Sequence, residues 1–234
     1  MIYRFNSLDS TSSQMARMEG DLRHGDVVIT YSQTAGRGQR GNSWESAPGM
    51  NLTFSMLLMP PDLLARDAWR MSMAVSVGIV HALSEFTGCP VSLKWPNDVY
   101  VGDMKLCGIL IENSLRGEYV SRSVVGIGIN VNQTEFLSDA PNPVSLRSAT
   151  GREFDLDEVL DAVCREILSS VAMMHRPELD SEYRSLLWRG TGVHPWRDTA
   201  TGEIFNAAVT DILPDGRIVL GDRTYWFKEV AALL

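Results

Sequence analysis

The segment 99–111 places the tightest constraint on how this chain folds. Val99-Tyr100-Val101 and the run from Met104 through Lys105, Leu106, Cys107, Gly108, Ile109 and Leu110 to Ile111 are separated only by Gly102-Asp103. A two-residue connection that opens on glycine closes a tight antiparallel hairpin, because glycine takes the positive φ such a turn needs. The second run is apolar on both faces, so it predicts a buried strand. Further strands are predicted over 2–5, 27–29, 51–58 and 124–131, the last interrupted by Gly126 and Gly128. In 51–58, Leu52, Phe54, Met56 and Leu58 recur at every second position, the period of a strand.

Helices follow from spacing. Thr11-x-x-Gln14 fits a capping box, with Met15, Met18 and Leu22 as a stripe and Gly25 just past the end. Residues 65–86 are apolar on nearly every side around 75–80, which predicts a buried helix. Asp155-x-x-Glu158 caps an amphipathic helix carrying Leu156, Val159, Leu160, Val163, Ile167 and Leu168. Residues 177–188 read as a short helix. After Gly190-Thr191-Gly192 the pattern changes to short strands over 204–213, 217–220 and 224–227, joined by Pro214-Asp215-Gly216 and Gly221-Asp222. This predicts a main domain over 1–188 and a small barrel over 189–234.

Composition narrows the class. At 234 residues with 44% hydrophobic content, the chain builds a proper core and is not disordered. A net charge of −8 argues against a nucleic-acid binder, so cations gathered at one place point to a small local anion. Cys89, Cys107 and Cys164 form no C-x-x-C, and the four histidines show no ligand spacing. Three small apolar core cysteines in a reducing compartment are expected. Residues 1–9 lack the blocks of a signal peptide, and the most apolar run, 71–83, contains serines and a histidine. A cytoplasmic protein without membrane association is expected.

Two segments carry chemistry. Gly36-Arg37-Gly38-Gln39-Arg40-Gly41 satisfies G-x-G-x-x-G, yet Asn42 to Gly49 cannot open a helix. Without a helix N-terminus for pyrophosphate the dinucleotide reading fails. A Walker loop fails too, for want of Gly-Lys-Ser/Thr. The loop can still form a nest of backbone N–H groups, with Arg37 and Arg40 adding charge-assisted bonds to a carboxylate or phosphate. An ordinary surface loop with solvated arginines is the alternative. In Lys94-Trp95-Pro96-Asn97-Asp98, Pro96 stiffens the turn and holds Trp95 extended. Lys105 enters a buried strand, where a lysine either snorkels out or serves an anion. Asp98 can hold Mg²⁺, cap the turn or pair with Lys94; the residues leave these open.

Taken in order, Asp9-Ser10-Thr11, the GRGQRG–W loop, KWPND, KLCGILIE and VGIGINVN resemble the signature segments of biotin protein ligases. The likeness covers residues 7–131, and the tail Trp226-Phe227-Lys228-Glu229-Val230 resembles that family's SH3-like C-terminal domain. The resemblance implies an α+β fold, a mixed β-sheet backed by helices of the class II synthetase-like biotin/lipoate ligase type. It implies that biotin is adenylated with Mg-ATP and passed to a lysine of a biotin carboxyl carrier domain of a biotin-dependent carboxylase.

By the same resemblance Ser10, Thr11, Gln33, Gly38 and Gln39 line the biotin site, while Arg37 and Lys105 bridge the biotin carboxylate and the α-phosphate. Arg40, Trp44, Lys94, Asn97, Asp98 and Asn130 serve the adenylate, and Asp98 is the candidate Mg²⁺ ligand. Thr11 as a helix cap, Trp44 as packing under the loop and Asn130 as a strand-end residue are the structural alternatives. Gln39 stands where some family members carry arginine, so the carboxylate contact rests on Arg37. No helix-turn-helix precedes the first strand, which suggests the enzyme-only type without a DNA-binding arm. Members often dimerise, so a homodimer is a further expectation. A lipoate or octanoate ligase shares the chemistry, but Ser10, Thr11, Gln33 and KWPND favour biotin. A non-catalytic biotin-binding module would not need both Arg37 and Lys105.

Overall fold

The computed structural model describes residues 1–18, 20–38, 43–137 and 142–233. Its centre is a seven-stranded sheet built from β1 (Ile2–Leu8), β2 (Val27–Gln33), β3 (Leu52–Leu58), β4 (Val91–Lys94), β5 (Asp98–Val101), β6 (Met104–Arg116) and β7 (Tyr119–Ile129). The order is β1-β2-β3-β7-β6-β5-β4, with β1 and β2 parallel and every other neighbour antiparallel. The expected hairpin is present, with Gly102 at φ 58 in its two-residue turn.

Helices cover both faces of the sheet. On one side lie α2 (Trp69–Ser84) and α4 (Leu156–Ala172), whose Met71, Val75, Ile79, Val159, Val163 and Ile167 pack with Leu52, Phe54, Met56 and Leu58 in one core. Asp155 caps α4 as its sequence predicts, accepting from the N–H groups of Asp157 and Glu158. On the other side α1 (Thr11–Arg17) rests Met15 against Val28 and Leu57. Because β3 is covered on both faces, all seven of its residues are buried. Its alternation assigns Leu52, Phe54, Met56 and Leu58 to the main core and leaves Thr53 and Ser55 on the α1 side.

Several expectations are corrected. The capping box is absent: Ser10 is the N-cap without a side-chain bond, and the Thr11 hydroxyl goes to Ser55. The helix predicted over 65–86 is a 3-10 turn, Ala65–Asp67, followed by α2. Strand β4, the short helix α3 (Leu146–Thr150), and strands β8 (His194–Asp198) and β13 (Val230–Ala232) have no counterpart in the sequence reading. The strand predicted over 204–213 divides into β9 (Ile204–Ala207) and β10 (Val209–Ile212), because the chain changes sheets there. Cys89 is exposed, so only Cys107 is a fully buried core cysteine.

The tail forms two three-stranded sheets, β13-β8-β9 and β10-β11-β12, with β11 at Ile218–Leu220 and β12 at Arg223–Tyr225. No strand pairing among the described residues joins them into a closed barrel. The short helix α5 (Glu178–Ser185) ties this unit to the main body: Arg184 Nη2 donates to the Ile212 carbonyl at 3.1 Å. Trp95 Nε1 does the same to Gly216 at 2.8 Å. Among the described residues no helix is long and apolar enough to cross a membrane.

Gly78 allows α2 to approach α4 closely. A Cβ there would lie 2.7 Å from the Glu166 carbonyl oxygen and 2.8 Å from Ile167 Cα, both backbone atoms that cannot step aside. We expect Gly78→Ala to lower the urea-unfolding free energy by about 1–2 kcal/mol, overpacking outweighing the helix-propensity gain of roughly 1 kcal/mol.

Candidate active site

The site begins as a row across the sheet. Thr53, Gly128, Gly108, Asp98 and Lys94 stand directly opposite one another on β3, β7, β6, β5 and β4 and so share one face. Ser55, Gly126 and Leu110 form the next row. The adjacent glycines leave a trough, and the Trp44 indole lies in it. A Cβ on Gly128 would sit 2.3 Å from Trp44 Cε2, and one on Gly108 2.9 Å from Cζ3. Glycine is required at both positions by this contact.

A β-bulge aims the key lysine. Val99 opposes Cys107 and Tyr100 opposes Lys105, so β6 carries one residue more than β5 between these pairs. The extra residue reverses the side-chain parity and turns Lys105 to the face that bears Gly108. Lys105 Nζ then meets Asp98 Oδ1 at 2.7 Å and lies 5.7 Å from the centre of a Trp44 ring. Asp98 thus pairs with Lys105, not with Lys94. Lys94 instead donates to the Tyr100 hydroxyl at 2.8 Å and faces the rings of Tyr100 and Trp188. The turn before Asp98 is clipped to β6 by Asn97, whose Nδ2 donates to the Ile109 carbonyl at 2.6 Å, and its Trp95–Pro96 peptide is cis.

The wall is a hydroxyl cluster at the start of α1. Ser10, Thr11 and Ser12 are buried, and Ser55 Oγ takes Thr11 Oγ1 at 2.8 Å and Ser12 Oγ at 3.0 Å. Ser55 has a single proton to give, so at least one of its partners donates to it. Gln33 Oε1 accepts the Thr11 N–H at 3.0 Å.

Over the trough sits the base of the glycine loop. Arg37 bridges Ser43, and Trp44 N–H donates to the Gly36 carbonyl at 3.2 Å. Arg37 reaches Glu112 on β6 with two bonds, 3.0 and 3.3 Å. Gln39 and Arg40 lie outside the described residues. Asn130 is buried, and its Nδ2 donates to the Val144 carbonyl at 3.1 Å.

These groups line two cavities. The inner one, about 60 Å³, runs between Ser10, Thr11, Gln33, Arg37, Trp44 and Lys105. It opens beside a cleft of about 1070 Å³ between the sheet end and the C-terminal unit, lined by Lys94, Asp98, Asn130, Trp188 and Lys228 among others. Cys107 is no nucleophile: burial pushes its thiol well above the ordinary range. Among the described residues no group of three His, Cys, Asp or Glu side chains is placed to hold a metal.

Of the residues expected at the site, the structure brings Ser10, Thr11, Gln33, Arg37, Gly38, Trp44, Asn97, Asp98 and Lys105 to the inner cavity. Lys94 and Asn130 stand on the outer cleft. Sequence reasoning missed Ser12, Ser55 and Glu112. Ser55 was visible as a polar residue on the second face of an alternating strand; Glu112 gave no signal of its partner.

Residues 5–130 match the model of the biotin/lipoate A/B protein ligase family. The chain belongs to that family. It is 28% identical over 215 residues to the bifunctional ligase/repressor BirA of Bacillus subtilis, covering 87% of this chain and 63% of that protein. It is 33% identical over 165 residues to the biotin–[acetyl-CoA-carboxylase] ligase of Paracoccus denitrificans, 65% of each chain. It thus spans a little under two thirds of these relatives. Its fold matches the biotin protein ligase of Aquifex aeolicus in complex with biotin and ATP, with TM-score 0.77 and 26% identity over 100% of this chain and 95% of that one.

The trough yields a direct test. Gly128→Ala should lift the indole, so the emission attributable to Trp44, obtained by difference against Trp44→Phe, should move towards that of exposed tryptophan. An unchanged difference spectrum would show that the indole does not rest on Gly128.

Proposed function

We propose that the chain is a biotin protein ligase, forming biotinyl-5′-AMP from biotin and ATP and passing biotin to a lysine of a biotin carboxyl carrier domain. The observation that carries this reading is one pocket lined both by neutral hydrogen-bonding groups and by two cations, Arg37 and Lys105. Ser10, Thr11 and Gln33 suit a ureido head, which both donates and accepts. Arg37 and Lys105 suit a carboxylate that must be brought against a phosphate, since two anions at reacting distance need cations between them.

In the first step a biotin carboxylate oxygen attacks the α-phosphorus and the bond to pyrophosphate breaks. Arg37 leaves Glu112 for the substrate carboxylate, and Lys105 turns from Asp98 to the α-phosphate, where charge grows. Trp44 covers the adenylate, and Gly38 lets the loop backbone come close. Asn130 has its amide N–H engaged with Val144 and keeps its side-chain oxygen for the adenine amino group. Gln39 and Arg40 belong to the same loop. Asn97 acts by holding the turn that presents Asp98. Mg²⁺ bound with ATP would offset phosphate charge, and Asp98 would supply its one protein carboxylate, the remaining ligands coming from phosphates and water.

In the second step the carrier lysine nitrogen attacks the acyl carbon and AMP leaves. Residues 1–188 hold the catalytic machinery and 189–234 close the outer cleft. Use of ATP and a carrier domain is consistent with work in the cytoplasm.

ATP–pyrophosphate exchange run separately with biotin, lipoate and octanoate tests the reading. Exchange with biotin alone is expected; exchange with lipoate or octanoate instead would assign the chain to the other branch of its family. Lys105→Ala should slow exchange by about 10²-fold or more, and Arg37→Ala should weaken biotin binding. The attacking lysine must be neutral, and its ordinary pKa is about 10.4. Single-turnover transfer from preformed adenylate should therefore accelerate from neutral to alkaline pH, and a flat profile would contradict free titration of that amine.

A further inference from the structure

Gln133 is a buried amide whose bonding capacity is filled. Its relative exposure is 4%, and it makes four hydrogen bonds, the full complement of a carboxamide. Oε1 accepts the Ala47 N–H at 2.9 Å and Asn51 Nδ2 at 2.6 Å. Nε2 donates to Glu45 Oε1 at 3.1 Å and to the Glu135 carbonyl at 2.7 Å. Glu45, Ala47 and Asn51 all lie on the stretch that leads from Trp44 to β3. Residues 45–51 form no helix or strand, so their path rests on bonds to neighbouring segments.

Gln133 is itself fastened to the floor of the trough. It lies just beyond the end of β7, the strand that carries Gly126 and Gly128. Val131 N–H donates to Asn51 Oδ1 at 2.9 Å and Asn132 N–H to the Met50 carbonyl at 2.7 Å, which ties the chain after β7 to the chain before β3. Glu45 follows Trp44 directly and stands on the outer cleft, where its Oε1 also takes the Leu137 N–H at 2.8 Å. On its other side Trp44 meets the base of the glycine loop through its N–H bond to Gly36 at 3.2 Å. The indole Nε1 has no hydrogen-bond partner among the described residues. The ring has no hydrogen bond of its own to hold it down, so its seat depends on where the backbone beside it runs.

We propose that Gln133 and Glu45 are positioning residues for adenylate formation. They act through Trp44: Gln133 fixes Glu45 and Ala47, and these set the backbone that seats the indole over Gly128 and beside Lys105. This rests on the adenylating reading above, in which Trp44 covers the adenylate. What Glu45 supplies to this clamp is an acceptor oxygen, since Gln133 and the Leu137 N–H are neutral donors.

The test combines ATP–pyrophosphate exchange with Trp44 emission, taken in each variant by difference against the same variant carrying Trp44→Phe. Glu45→Ala should raise the KM for ATP about tenfold, as loss of a hydrogen-bonded anchor does. It should also move the Trp44 emission towards that of exposed tryptophan. Glu45→Gln keeps the acceptor oxygen and should hold both at wild-type values. Gln133→Leu should reproduce both changes of Glu45→Ala. Should the loss of four buried bonds keep Gln133→Leu from folding, Glu45→Ala, at a partly exposed position, carries the decision. A wild-type KM for ATP in Glu45→Ala would overturn the inference and leave the adenylating reading intact. A raised KM with unmoved Trp44 emission would also overturn it, because the residue would then act by another route. A Glu45→Gln variant as impaired as Glu45→Ala would assign the role to charge and overturn it too. If wild type shows no exchange, the adenylating reading falls, and emission alone decides the seat of the ring. A shift in Glu45→Ala that is absent from Glu45→Gln then supports the clamp, and any other pattern overturns it.

Discussion

Between the pairs Val99–Cys107 and Tyr100–Lys105, β6 carries one residue more than β5, and the side-chain chemistry of this face depends on that bulge. In a regular strand Lys105 and Gly108, three residues apart, would point to opposite faces. With the bulge they share one, and the ammonium reaches Asp98. The two-residue turn at Gly102-Asp103 sets the register on one side of the irregularity, and the row of Asp98, Gly108 and Gly128 sets it on the other. Neither could shift by one residue without sending Lys105 into the core among the helices.

The two candidate cations rest on carboxylates, but not equally. Arg37 and Glu112 are each nearly half exposed, 47% and 45%, and such pairs contribute only about 0–1 kcal/mol. Lys105 and Asp98 are less exposed, 31% and 20%, so each relies more on the other to offset lost hydration. Recruiting Arg37 to a ligand therefore costs little. Lys105 is held in place beforehand and is released only to a group that offers what Asp98 offers. A loop cation that moves and a floor cation that waits suit a reaction that must first capture an anion and then stabilise charge beside it.

Local signals were legible wherever the local sequence decides the structure. The Asp155 cap and the stripe of α4, the Gly102-Asp103 turn and the alternation of β3 all follow from neighbours in the chain. What was not legible comes from distant partners. Thr11 has the residue type of a cap, yet its hydroxyl bonds to Ser55, 44 residues away, a contact that no local pattern encodes. Glu112 ends a run that reads as buried strand, and only the fold brings Arg37 to it across 75 residues. The bulge is invisible because Leu106 and Cys107 are apolar and suit either face. The short strands β4, β8 and β13 are set by their partners, since three to five residues carry too little periodicity to declare themselves. The two open sheets of the tail read as one barrel for the same reason: strand spacing does not specify which strands pair.

The Trp44 indole fills the trough over Gly108 and Gly128. Its Nε1 is buried with no hydrogen-bond partner among the described residues. A buried donor left unpaired costs roughly 1–3 kcal/mol. The glycine trough can hold the ring, but glycines offer no side-chain acceptor to its N–H. This unpaired donor sits in the same loop that bears Arg37, whose guanidinium is held by the half-exposed pair to Glu112. With Lys105 Nζ 5.7 Å from the ring, an anion bound to that lysine would have an acceptor to offer the indole N–H.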